Sequence, residues 1–140
     1  MQQVLVSHSR PLAIPLSSPL KELLAYAYAS RDRLREEIPA DERPVVFIGP
    51  HEPHSNELPW REAIADVVTI AEGPDGHIDL AQLEDELRRY GNRPLKIGSF
   101  SAASNVTGIG TNTRAVAALL HKHGALSFWD FAAAGPYVKI

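Results

Sequence analysis

The 140-residue chain has no cysteine, which removes disulfides, zinc-thiolate centres and a thiol nucleophile from consideration and fits a reducing compartment. No apolar run approaches the roughly 20 residues that a membrane-crossing helix needs. Residues 1–20 carry Arg10, Pro11, Pro15 and Pro19 but no charged start followed by an uninterrupted apolar stretch, so they make a poor secretory signal. A cytoplasmic protein with no membrane partner is the expectation. Charge of one sign is scarce as well. The formal net charge is -3, and Arg31, Arg33, Arg35, Arg61, Arg88, Arg89 and Arg114 are spread among acids, so no nucleic-acid partner is expected. No internal repeat or low-complexity tract is present.

What is present is an ordinary globular composition, 44% hydrophobic and 22% charged, sufficient for one domain with a core. Serines and prolines break up residues 1–18, which read as irregular. Ser18-Pro19 is a favourable cap and first-turn pair, and Leu20, Leu23, Leu24, Ala27 and Leu34 then recur near helical spacing, predicting a helix over about 19–37. From Pro44 onward, short apolar runs alternate with helices. Val45-Val46-Phe47-Ile48 and Val67-Val68-Thr69-Ile70 are expected strands, with a short helix at most over 57–64 between them. Asp79 with Gln82 resembles a capping box, after which Leu80, Leu83, Leu87 and Tyr90 line a helical face that ends at Gly91. Residues 95–100 are strand-like. Asn112 caps a helix carrying Ala115, Val116, Leu119 and Leu120 that stops at Gly124, and 125–129 form the next strand. The alternation predicts an α/β fold in three layers, a mostly parallel sheet flanked by helices.

Ligands of such sheets sit at the carboxyl ends of the strands. Three segments fall there: 51–56, 101–108 and 130–135. Asp130 ends an apolar strand, where an ionised carboxylate is costly without a partner, and so asks for a cation. Alone it would read as a carboxylate capping the next turn. Asn105 sits in a small polar turn where its amide could bond a ligand oxygen, although such an asparagine is most often structural. His54 and His51 follow the first strand and offer an imidazole face or nitrogen. An acid, an amide and an imidazole suit a planar heteroaromatic cofactor. A metal centre is not expected, because His121 and His123, two apart near a helix end, point to different sides.

Three ordered motifs carry a family resemblance: His-Ser-Asn-Glu-Leu-Pro-Trp-Arg-Glu at 54–62, Gly-Ser-Phe-Ser-Ala-Ala-Ser-Asn-Val-Thr-Gly at 98–108, and Phe-Trp-Asp-Phe-Ala-Ala-Ala-Gly-Pro-Tyr-Val at 128–138. Together they resemble the class V aminotransferases, which include the cysteine desulfurases. The resemblance covers roughly 38–140 and implies part of the large, pyridoxal-phosphate-binding domain of the type I aminotransferase fold; residues 1–37 match nothing in the pattern. It implies pyridoxal 5'-phosphate as cofactor, an amino-acid substrate attacked at its alpha carbon, and a homodimer. By the same resemblance Asp130 pairs with the pyridinium nitrogen and sustains the ring as an electron sink. Asn105 would lie near the phenolic oxygen, and His54 belongs to the segment whose histidine stacks on the ring.

The chain departs from the family pattern at several places. The first of two adjacent family histidines falls on Pro53, which has no imidazole, leaving His54 and His51 as the candidates for that place. Ala133 stands where desulfurases have a glutamine, which favours an aminotransferase-like or unassigned subgroup. Nothing in residues 1–37 matches the glycine- and threonine-containing loop that binds the cofactor phosphate. The lysine that family members bond to the cofactor would fall beyond Ile140, and Lys21, Lys96, Lys122 and Lys139 stand in other contexts. The expectation is a truncated or frame-shifted piece, catalytically inactive as this chain. The alternatives are a non-enzymatic α/β binding domain and a relic polypeptide.

Overall fold

The computed structural model describes residues 33–104 and 107–137. The chain divides into two units, Met1–Pro39 and Ala40–Ile140. In the first, residues 33–37 are helical, and Ile38 N donates to Leu34 O at 3.1 Å. The remainder of the helix expected over 19–37 lies outside the described residues.

The second unit alternates strand and helix throughout: β1 (Val45–Ile48), α1 (His54–Glu62), β2 (Asp66–Thr69), α2 (Leu80–Arg89), β3 (Lys96–Ser101), α3 (Thr113–Lys122) and β4 (Leu126–Asp130). All four strands are parallel, in the order β2-β1-β3-β4. Among the described residues antiparallel pairing is confined to two isolated bridges, Glu72 with Ile78 and Ala103 with Gly110. β1 and β3 are fully buried along their length, as inner strands of a sheet covered on both faces must be.

The strand period of two separates the faces. Val45, Phe47 and Phe100 join Leu83 and Leu87 of α2 and Val116 and Leu120 of α3 in the larger core, with Trp129 packed against it. Val46, Ile48 and Ile97 look the other way and pack with Ala65, Trp60 and Ala63 at the α1 side. Three layers result: α1, the sheet, then α2 and α3. Gly98 has a packing role on the larger face, since a Cβ there would stand 2.4 Å from Leu120 Cδ1 and 2.9 Å from Phe100 Cε2.

Helix ends follow their chemistry. Asp79 accepts from Ala81 N and Gln82 N, both at 3.0 Å, and Asn112 accepts from Ala115 N at 3.1 Å. The second half of the expected capping box is used differently: Gln82 Oε1 accepts from Ala71 N at 2.6 Å, fastening α2 to the end of β2. Gly124 closes α3 with φ 68°, a left-handed geometry suited to glycine.

The helix expected over 57–64 begins three residues earlier. Pro53, with φ -57°, stands at its N-cap, and its carbonyl accepts from Asn56 N and Glu57 N at 2.8 and 3.1 Å. Proline's fixed φ starts the turn, and α1 then continues through Pro59.

Among the described residues no helix is long and apolar enough to cross a membrane.

Candidate functional site at the carboxyl edge of the sheet

The connections reverse at the centre of the sheet. β1 leads through α1 on one face to β2 on its left, whereas β3 leads through α3 on the other face to β4 on its right. The loops leaving β1 and β3 therefore part in opposite directions and open a crevice between the carboxyl ends of those strands. The three segments singled out in the sequence follow β1, β3 and β4, neighbours in the sheet order. A small cavity of about 40 Å³ joins the first two, lined by residues including His51, Glu52, His77, Ser101 and Ser104. A cleft of about 670 Å³ joins the second and third, with Ala102, Ser104, Arg114, Phe131, Ala133 and Tyr137 in its walls.

Asp130 is the last residue of β4 and is half-buried. Its Oδ1 accepts from Ala132 N at 2.7 Å, and its backbone carbonyl accepts from Ala102 N at 2.8 Å. The turn-capping role falls on Oδ1, and Oδ2 has no partner among the described residues. No described cation pairs with the carboxylate either. An acceptor with an open lone pair at a half-buried strand end fits a protonated ring nitrogen.

His54 is the first residue of α1 and is exposed. It lines neither the small cavity nor the cleft. His51 is exposed and hydrogen-bonds Glu72 at 2.7 Å, which directs its ring toward the loop after β2. Asn105 lies outside the described residues, between Ser104 and Thr107.

The most connected group at the crevice is Glu52, which lies in the 51–56 segment but was not singled out there for a role at the cofactor ring. Its Oε1 accepts from Gly49 N at 3.2 Å and Ser101 N at 3.0 Å. Its Oε2 accepts from Asn56 Nδ2 at 2.7 Å and Ser101 Oγ at 2.6 Å. Asn56 in turn accepts from Ser99 Oγ at 2.8 Å. The signal for this network was present in the strand itself: Ser99 and Ser101 are buried hydroxyls on one face of β3, and buried hydroxyls require partners. Glu52 and Asn56, four apart at the start of α1, supply them.

Lysines have a different distribution. Lys96 is buried at the first position of β3 and donates to Gly91 O at 3.1 Å, while Lys122 ends α3 and donates to Glu84 at 3.0 Å. Both occupy the amino-terminal edge of the sheet, opposite Asp130. Among the described residues no three histidines or carboxylates gather as metal ligands.

A parallel sheet covered on both faces, with a crevice between the carboxyl ends of its central strands, defines an open α/β domain of the three-layer class. Residues 33–140 match the family described as aminotransferase class-V, and the chain belongs to that family. A probable cysteine desulfurase from Halalkalibacterium halodurans is 32% identical over 99 residues, which cover 68% of this chain and 23% of that protein. A NifS-like protein from Rickettsia africae ESF-5 has the same architecture, with a TM-score of 0.62 at 20% identity over 81% of this chain and 30% of that one. Serine palmitoyltransferase from S. paucimobilis, solved with a bound pyridoxal-phosphate-myriocin aldimine, superposes with a TM-score of 0.54 at 16% identity, over 74% of this chain and 24% of that one. The fold is that of the pyridoxal-phosphate-dependent transferases, and the family depends on that cofactor. The chain spans 23% of the desulfurase and 30% of the NifS-like protein.

Proposed function

We propose that residues 40–137 form the ring-binding part of a pyridoxal-phosphate enzyme acting at the alpha carbon of an amino acid, with Asp130 as the partner of the ring nitrogen. The observation that carries this reading is the division of labour at Asp130, whose Oδ1 is held by Ala132 N at 2.7 Å while Oδ2 stays open at the carboxyl edge of the sheet. The cofactor, when bound, supplies an electron sink for the substrate's alpha carbon. Asp130 keeps the ring nitrogen protonated. Asn105 donates its amide to the phenolic oxygen. Ala133 in place of a glutamine favours an aminotransferase-like reaction over desulfuration. The working protein is a cytoplasmic homodimer.

A second reading has its own support. Among the described residues Lys96 and Lys122 are both engaged at the edge away from Asp130, which supports a reading in which residues 40–137 hold the cofactor ring and do not themselves supply the covalent step.

The test is titration of the 140-residue chain with pyridoxamine 5'-phosphate, which carries the same ring but cannot condense with a lysine. Saturable binding is expected, weakened at least about tenfold by Asp130→Ala, as loss of a charge-assisted bond implies. Absence of binding, or equal binding by the variant, would overturn the assignment.

A further inference from the structure

We infer that Glu52 is a positioning residue that locks the two sides of the central crevice together and thereby fixes the Asp130 carboxylate for the ring. This extends the cofactor reading above and rests on it for the ring, though not for the lock itself.

At a switch point the chain leaves β1 and β3 toward opposite faces, so the two exits are joined by side chains that reach across, here Asn56 to Ser99 and Glu52 to Ser101. Glu52 comes from the β1 exit and reaches the last residue of β3 through both a main-chain and a side-chain bond, Ser101 N at 3.0 Å and Ser101 Oγ at 2.6 Å. It holds its own exit as well, through Gly49 N at 3.2 Å and Asn56 Nδ2 at 2.7 Å. All four partners are donors, so an acceptor-only carboxylate satisfies them, whereas a carboxamide would turn its NH2 against one or two of them. Gly49 makes room for this arrangement, since a Cβ there would stand 2.6 Å from Glu52 Oε1.

From Ser101 the constraint passes to the proposed ring partner in one step. Ser101 is in register with Asp130 across β3 and β4, and the next residue, Ala102, donates its N–H to the Asp130 carbonyl at 2.8 Å. Ser104, just before Asn105, lies on the same segment as it leaves β3. Glu52 touches no ring atom in this arrangement; it fixes the backbone from which the ring-binding groups project.

The experiment compares the 140-residue chain with its Glu52→Gln and Gly49→Ala variants. Glu52→Gln removes the charge, whereas Gly49→Ala keeps the carboxylate and displaces it. Amide exchange is followed at Ala102, and at Leu83 and Val116 as remote references within the larger core. In either variant the Ala102 amide is expected to exchange about tenfold faster while Leu83 and Val116 keep their protection, the pattern of a local opening. If Ala102 is unchanged, or if all three amides accelerate alike, Glu52 does not position the β4 end and the inference fails. If Glu52→Gln does not fold, Gly49→Ala decides it.

A second arm measures pyridoxamine 5'-phosphate binding. Where the parent chain binds it, Glu52→Gln is expected to weaken binding about tenfold or more, and unchanged affinity would overturn the link to the ring. Where the parent chain does not bind it, the cofactor assignment of Asp130 fails instead, and amide exchange alone decides the lock.

Discussion

Ser101 and Asp130 face each other in register at the carboxyl ends of β3 and β4, and both belong to a chain of contacts that starts at Glu52. The two bonds from Ser101 to Glu52 are separable. Ser101→Ala removes the hydroxyl donor at 2.6 Å and leaves the N–H donor at 3.0 Å. The lost bond is charge-assisted and half-buried, so the variant is expected to be less stable by about 1 to 3 kcal/mol in urea unfolding. Unchanged stability would mean that the hydroxyl contributes nothing beyond what water supplies.

Gly98 makes a sharper prediction because its neighbours are rigid. On the larger core face a methyl group would meet Leu120 Cδ1 at 2.4 Å, Leu120 Cδ2 at 2.8 Å and Phe100 Cε2 at 2.9 Å, all fully buried side chains. A helix former or strand former is no use at such a place; only the missing Cβ lets α3 approach the sheet. Gly98→Ala is expected to cost about 1 to 3 kcal/mol by overpacking. A double variant with Leu120→Val should recover part of that loss, and failure to recover any would show that the strain lies elsewhere.

The sheet itself was legible in the sequence because each strand is a short apolar run between good helix signals. Val45–Ile48 coincides with the expected strand, β2 starts one residue earlier than expected, and β3 and β4 each start one residue later. The caps Asp79 and Asn112 were equally plain, since a side-chain oxygen before a periodic apolar stretch has one obvious use. The start of α1 was not, because Pro53 and Pro59 both argue against a helix unless the first serves as its cap. Glu52 was missed for a different reason. Its partner Ser101 lies 49 residues away, and neither local propensity nor periodicity reports a bond across a crevice that exists only once the strand order is known. Of the residues proposed to bind the ring, Asp130 was marked by its place at the end of an apolar run, which is where the sheet has it. His51, by contrast, is drawn to Glu72, a contact no sequence spacing indicates.

Arg93 ties the amino-terminal edge of the sheet. Its guanidinium donates to the Asp66 carboxylate at the start of β2 and, at 2.5 Å, to Arg43 O, and it lies 5.4 Å from the Tyr90 ring centroid. Its side chain is 11% exposed, so these contacts are poorly screened. Arg93→Ala is expected to lower stability by about 2 to 3 kcal/mol, and Arg93→Lys to recover less than half, because an ammonium cannot reach two acceptors in a fork. Denaturant melts of the two variants would check the order.

Glu84 gives a pH dependence with a defined sign. The Lys122 ammonium that hydrogen-bonds it, with Arg88 beside it, holds its carboxyl below the ordinary value of 4.5 against the opposing effect of burial. A folded-state value below the unfolded one means that the unfolded chain binds the proton more readily. The stabilisation is therefore present above the unfolded value and is lost as pH falls through the folded one. Lys122→Ala should move the Glu84 titration, followed by carboxyl carbon NMR, up toward 4.5. It should also flatten the acid side of the stability profile. A titration that stays where it was would assign the shift to Arg88 and His123 instead.

The two described lysines lie away from Asp130, which makes the proposed absence of covalent capture testable. Four are present, Lys21, Lys96, Lys122 and Lys139. Lys96 is buried and donates to Gly91 O, and Lys122 is engaged by Glu84, both at the edge of the sheet away from Asp130. A lysine poised for covalent capture would react with pyridoxal phosphate stoichiometrically, and its neighbours would not. Treatment of the 140-residue chain with pyridoxal phosphate and then borohydride, followed by peptide mapping, is expected to give sub-stoichiometric label with Lys96 the least modified. The label should not change in Asp130→Ala, because reaction at exposed amines does not depend on the ring-binding edge. Stoichiometric modification of one lysine that disappears in Asp130→Ala would place a competent capture site within these residues and reverse the reading that they bind without reacting.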